Sequence, residues 1–150
     1  MKVSNIRKYV FHKGFYENSQ QDIKYQLFRI KDKNEKDCFS AEDFLHGICH
    51  VLAYALHCKF GYNILEIRSL SNLMVHWCCT FDYKGKKVYV DVRGMTSDFN
   101  ELIDEFQPGM GEAPIKTIIE DLTNYDDEWE ESQVKFANEI IKKHYDYYSI

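Results

Sequence analysis

Leu73-Met74-Val75-His76-Trp77-Cys78-Cys79-Thr80-Phe81-Asp82-Tyr83-Lys84-Gly85-Lys86-Lys87-Val88-Tyr89-Val90-Asp91-Val92-Arg93 reads as two strands joined by a tight reversal. β-Branched and aromatic residues crowd both arms, and Lys84-Gly85-Lys86 marks the turn. Strands are expected over Leu73–Tyr83 and Lys87–Arg93. A two- or four-residue loop centred on Lys84-Gly85 sets His76 opposite Arg93 and on the same face of the sheet as Asp91. A three- or five-residue loop would put His76 and Asp91 on opposite faces, because side chains alternate. Cys78 shares the face of His76, and Cys79 takes the other face as plain core packing.

Upstream, Tyr62 to Ile67 reads as a further strand, and Ser40-Ala41-Glu42-Asp43 has the form of a helix start with Ser40 as N-cap. Gly47 either sits inside a continuing helix, at a cost of about 1 kcal/mol, or marks a bend after which a second helix begins near Ile48. Its buried stripe would be Ile48, Leu52, Ala55 and Leu56, and Gly61 would end it in a left-handed C′ position. The bend, if made, puts Cys49 at a helix N-terminus.

Cys49, His76 and Asp91 therefore form a candidate constellation. A thiolate, not a thiol, is the nucleophile, and a helix N-terminus and a neighbouring imidazole both favour it. The carboxylate would accept from the second imidazole nitrogen, fixing its tautomer. The backbone N–H of Cys49 is the expected oxyanion donor, with His46 or His50 beside it as a second. Arg93 is expected either to bind a substrate carboxylate or to pair with an acidic group.

Gly47-Ile48-Cys49-His50-Val51-Leu52-Ala53, Val75-His76-Trp77 and Tyr89-Val90-Asp91 together resemble the core of transglutaminase-like and related papain-like cysteine enzymes. The resemblance covers roughly Ser40 to Thr96. It implies an α+β fold in which the Cys-bearing helix packs on an antiparallel sheet. It also implies Cys49 as nucleophile, His76 as general base and then acid, and Asp91 as orienter. The activity implied is cysteine-dependent acyl transfer on a peptide or protein: a thiol protease-like hydrolase, an amidase, a deamidase or a transglutaminase. A catalytically inactive papain-like binding module is the alternative.

Composition agrees with one domain over residues 1–150, with its core at 38–96 and the flanking regions 1–37 and 97–150 packed on it. Formal net charge is −5, which makes nucleic acid an unexpected partner. The charge is uneven, with 14 acidic and 4 basic residues from Asp98 to Ile150. That stretch is expected to be a solvated, mostly helical acidic region. Five cysteines, no CxxC pair and no apolar leader in Met1 to Lys8 point to reduced thiols in the cytoplasm. No run is apolar enough for a membrane span. No cofactor is called for. A zinc site from His46 and His50 with His76 or Cys78 is disfavoured, because Gly47 breaks the helix between the two histidines.

The ends are less decisive. Ile23, Tyr25, Leu27 and Ile30 fit either a strand or a helix. Pro114 is expected at a helix N1 position, with Ile115, Ile118, Ile119 and Leu122 along one stripe. Asn124 or Asp126 would cap a last helix carrying Trp129, Phe136, Ala137, Ile140 and Ile141. Tyr145, Tyr147 and Tyr148 are either frayed or touch a partner.

Overall fold

The computed structural model describes residues 30–31, 37–39, 41–122 and 131–149. The readings at Ile23 to Leu27, Ser40, Asn124, Asp126 and Trp129 lie outside those residues. The fold is α+β. Its centre is a five-stranded antiparallel sheet of β3 (Asn63–Arg68), β4 (Val75–Tyr83), β5 (Lys86–Asp91), β6 (Gly94–Thr96) and β7 (Ile115–Ile119), in the order β6-β5-β4-β3-β7. Before it, β1 (Ile30–Lys31) and β2 (Asp37–Phe39) form a separate antiparallel pair.

The reversal at Lys84-Gly85 is a two-residue loop in which both residues have positive φ, 48° and 79°. A turn of this kind matches the right-handed twist of its flanking strands. It pairs Tyr83 with Lys86 and Cys79 with Val90, which is the register that holds His76 and Asp91 on one face. Thr80 locks it by donating its hydroxyl to the Val88 carbonyl at 2.9 Å.

Helix α1 (Ala41–His46) ends at Gly47, and α2 (Cys49–Phe60) begins two residues later. The break is closed by Gly47 N–H and Ile48 N–H, both donating to the Asp43 carbonyl at 2.9 and 2.7 Å. Cys49 is thus the first residue of a twelve-residue helix. More of α2 is buried than one stripe: Val51 and Ala53 join Leu52, Ala55 and Leu56. The reason is that α2 packs on β4 on one side and on α4 (Glu131–Lys143) on another. Phe136, Ala137, Ile140 and Ile141 supply the buried face of α4.

Gly61 caps α2 at φ 76°, its N–H donating to the His57 carbonyl at 2.8 Å. A Cβ at Gly61 would meet no atom within 4 Å, so any penalty is conformational. Gly61→Ala is expected to cost about 1 kcal/mol, read as a lower urea midpoint; an unchanged midpoint would contradict the left-handed cap.

The region after Met95 departs from expectation. Residues 115–119 are a strand, not a helix: β7 pairs antiparallel with β3, Leu65 facing Ile118. Ile115, Ile118 and Ile119 do have helical spacing, but Ile-Lys-Thr-Ile-Ile is a β-branched run, stiff at χ1 and suited to a pleated surface. The open edge of β3 takes it up, and the strand remains largely solvent-facing. Gly94 to Thr96, a segment of turn-like composition, is the fully buried strand β6. It comes after a two-residue reversal at Val92-Arg93 that pairs Asp91 with Gly94. Helix α3 (Phe99–Asp104) is next, capped by the Asp98 carboxylate, which accepts from Asn100 N–H at 2.9 Å. The terminal tyrosines are not frayed. Tyr145–Tyr148 form a short helix, α5, and Tyr148 is fully buried. No helix among the described residues is long and apolar enough to cross a membrane.

Candidate active site

Three elements deliver the site. The bend at Gly47 sets Cys49 at the head of α2, β4 carries His76, and β5 ends at Asp91. Cys49 is 8% exposed, while His76 and Asp91 are buried.

Asp91 is the most heavily constrained of the three. Its Oδ1 accepts from the backbone N–H and the Nε of Arg93 at 2.9 and 3.1 Å. Its Oδ2 accepts from an Arg93 terminal nitrogen at 2.6 Å. The same nitrogen donates to the Leu102 carbonyl at the end of α3, at 2.7 Å. Burial pushes the Asp91 carboxyl up, but the Arg93 charge and the bonds from His76 and Arg93 hold it well below the usual carboxylate range. Asp91 is therefore a fixed anion.

That anion orients His76. The ring Nε2 meets Asp91 Oδ2 at 3.1 Å, which makes Nε2 the protonated nitrogen. Nδ1 is buried and is the ring nitrogen left for the Cys49 thiol. Phe106 covers the ring, with centroids 4.4 Å apart. Burial pushes the imidazole down, but the Asp91 bond and the Cys49 sulfur outweigh it, and the net shift is upward.

Cys49 receives the complementary bias. Burial pushes its thiol up, yet the His50 side chain, the His76 imidazole and the Trp77 N–H bring it down to about 6. The Trp77 N–H donates to the sulfur at 3.4 Å. The head of α2 adds partial positive charge, since the first N–H groups of a helix have no partner within it. Two other buried thiols set the scale. Burial pushes Cys78 well above its ordinary value, with the Asp91 charge adding to it, and burial drives Cys79 up as well. Cys79 donates to the Ala53 carbonyl of α2 at 3.1 Å, in keeping with a packing role. Burial alone thus makes a thiol inert here, and what distinguishes Cys49 is its company.

The structure brings together Cys49, His76, Asp91 and His50, with the His50 ring edge-on to Trp77 at 6.3 Å. Arg93 is buried at 1% exposure in the ion pair with Asp91. His46 turns away: its Nε2 bonds Glu105 Oε1 at 3.2 Å, and its ring lies against Phe106. Among the described residues no group of three or more His, Cys, Asp and Glu side chains could hold a metal ion. Sequence reasoning missed the Trp77 N–H, the Leu102 carbonyl and the Phe106 cover. Two of these are backbone groups, one on β4 and one on α3, whose direction depends on tertiary packing, and no residue type marks them.

No family model, curated protein or solved structure matches the chain.

Proposed function

We propose that the protein is a cysteine-dependent acyl-transfer enzyme of transglutaminase-like or papain-like type, acting on an amide of a peptide or protein. The observation that carries this reading is the state of the His76 ring. One nitrogen is fixed on a clamped anion, and the other, buried, is left to the Cys49 thiol. The neighbouring thiol, alone among the buried ones described, is shifted toward ionisation. A catalytic histidine keeps one nitrogen on its orienting carboxylate and the other for the proton it must move.

The proposed chemistry follows from those positions. The Cys49 thiolate attacks the carbonyl carbon, and the electron pair of the C=O moves onto oxygen. The N–H groups at the head of α2, with His50 beside them, are the donors for that oxyanion. As the tetrahedral intermediate collapses, the C–N bond breaks and the imidazolium gives its Nδ1 proton to the leaving nitrogen, leaving a thioester on Cys49. His76 then takes a proton from water or from an acceptor amine. The resulting nucleophile displaces the sulfur, and the thiolate and the imidazolium are restored. Asp91 stabilises the imidazolium throughout. Such a thiolate works in a reducing compartment, and the cytoplasm is part of the proposal.

The reading is tested with p-nitrophenyl acetate near pH 7. A burst of p-nitrophenolate, with the acetyl group mapped to Cys49 and absent from Cys49→Ala, is expected. Acetylation spread over lysines and the exposed Cys58, unaffected by Cys49→Ala, would favour the inactive binding module.

A further inference from the structure

The β4–β5 ladder stops early. Thr80 pairs with Tyr89 and Cys79 with Val90. Two residues further along, Trp77 would face Val92, but β5 has already turned at Val92-Arg93 to enter β6. Two backbone groups are thereby released from regular pairing. The Trp77 N–H goes to the Cys49 sulfur at 3.4 Å, and the Val92 carbonyl accepts from the Tyr148 hydroxyl at 2.7 Å.

We propose that Tyr148, near the far end of the chain, is a positioning residue for Cys49: by occupying the Val92 carbonyl it reserves the Trp77 N–H for the sulfur. This rests on the thiol-enzyme reading of the site. A buried carbonyl requires a donor. Without the phenol, the in-register donor closest along the ladder is the Trp77 N–H. Closing that bond would extend the sheet by one rung and strip the thiolate of a charge-assisted hydrogen bond.

Three further observations fit a dedicated part. Tyr148 is fully buried on a short helix where the tyrosines beside it are partly exposed. Its position is fixed from the other side by Tyr62, whose hydroxyl donates to the Tyr148 carbonyl at 2.8 Å. Burial and the nearby Asp91 charge push its phenol well above the ordinary value, so it stays a donor over the whole working range.

The test is the pH dependence of iodoacetamide reaction at Cys49 in the full chain. Tyr148→Phe keeps the ring and removes one oxygen, and its midpoint is expected to rise by about one pH unit. Tyr62→Phe removes a hydrogen bond to the same helix without touching Val92, and its midpoint is expected to stay at the native value. Equal shifts in the two variants, or none in Tyr148→Phe, would overturn the proposal. A second measurement needs no variant. The Trp77 backbone amide proton resonance should titrate with the Cys49 midpoint in the native protein, and a flat response would overturn the proposal even if Tyr148→Phe failed to fold. If the native protein lacks a low midpoint altogether, the thiol-enzyme reading itself fails. A low native midpoint unmoved by Tyr148→Phe removes only the role of Tyr148.

Discussion

His76→Ala is expected to lower turnover of an activated acyl substrate by about 10²–10⁴-fold, the range spanned by positioned acid–base groups. Two losses combine. The Cys49 thiol loses the imidazole that helps bring it down to about 6, and the leaving group loses its proton donor. Cys49→Ala should remove the covalent intermediate altogether. In the native protein the rate should rise as Cys49 ionises through about pH 6 and fall as His76 loses its proton at a value raised above the ordinary imidazole range. The pH profile of the acetylation burst checks both limbs. A His76→Ala variant with an unchanged burst rate and profile would remove the imidazole from the mechanism.

Asp91→Ala is expected to have the largest effect on stability, about 3–5 kcal/mol in urea unfolding at neutral pH. The magnitude comes from what is left behind. The Arg93 guanidinium is 1% exposed, and the Asp91 carboxylate accepts from its Nε, from a terminal nitrogen and from the Arg93 backbone N–H. A buried charge without a counter-ion costs far more than a surface pair contributes. Lys87 and Asp82, bonded at 2.9 Å but with side chains 51% and 74% exposed, are the internal contrast, and Lys87→Ala should change stability little.

The depressed Asp91 pKa sets the sign of the pH dependence. Its contribution is fully present above the unfolded-state value near about 4 and is lost as pH falls through the folded-state value. The gap between native protein and Asp91→Ala should therefore be widest above about pH 4 and narrow below it. A gap that widened on acidification would contradict the ion-pair account.

The parts of the site that were legible in the sequence depend on local chemistry. Gly85 directly after Lys84 implies a short reversal with positive φ, and an even loop length puts His76 and Asp91 on one face. Gly47 breaks one helix and starts the next, which places Cys49 at its first position. The parts that were not legible depend on tertiary context. The spacing of Ile115, Ile118 and Ile119 is that of a helix, while the β-branched run and the vacant edge of β3 make a strand of it. Gly94-Met95-Thr96 has turn-like composition, yet it pairs with β5 because Val92-Arg93 has already made the reversal. Arg93 was open to two partners, and the choice of Asp91 depends on the turn that curls its side chain back two residues. Tyr148 lies 56 residues from Val92 in sequence, a contact that no local pattern encodes.

The central claim is that Cys49 is held as a thiolate by the His76–Asp91 pair. The most direct measurement is the pH dependence of Cys49 carboxamidomethylation by iodoacetamide, quantified by peptide mass spectrometry in the native protein and in His76→Ala. The account predicts a native midpoint of about 6 that moves upward in His76→Ala. A native midpoint near 9, the ordinary thiol value, or one that His76→Ala leaves in place, would contradict it.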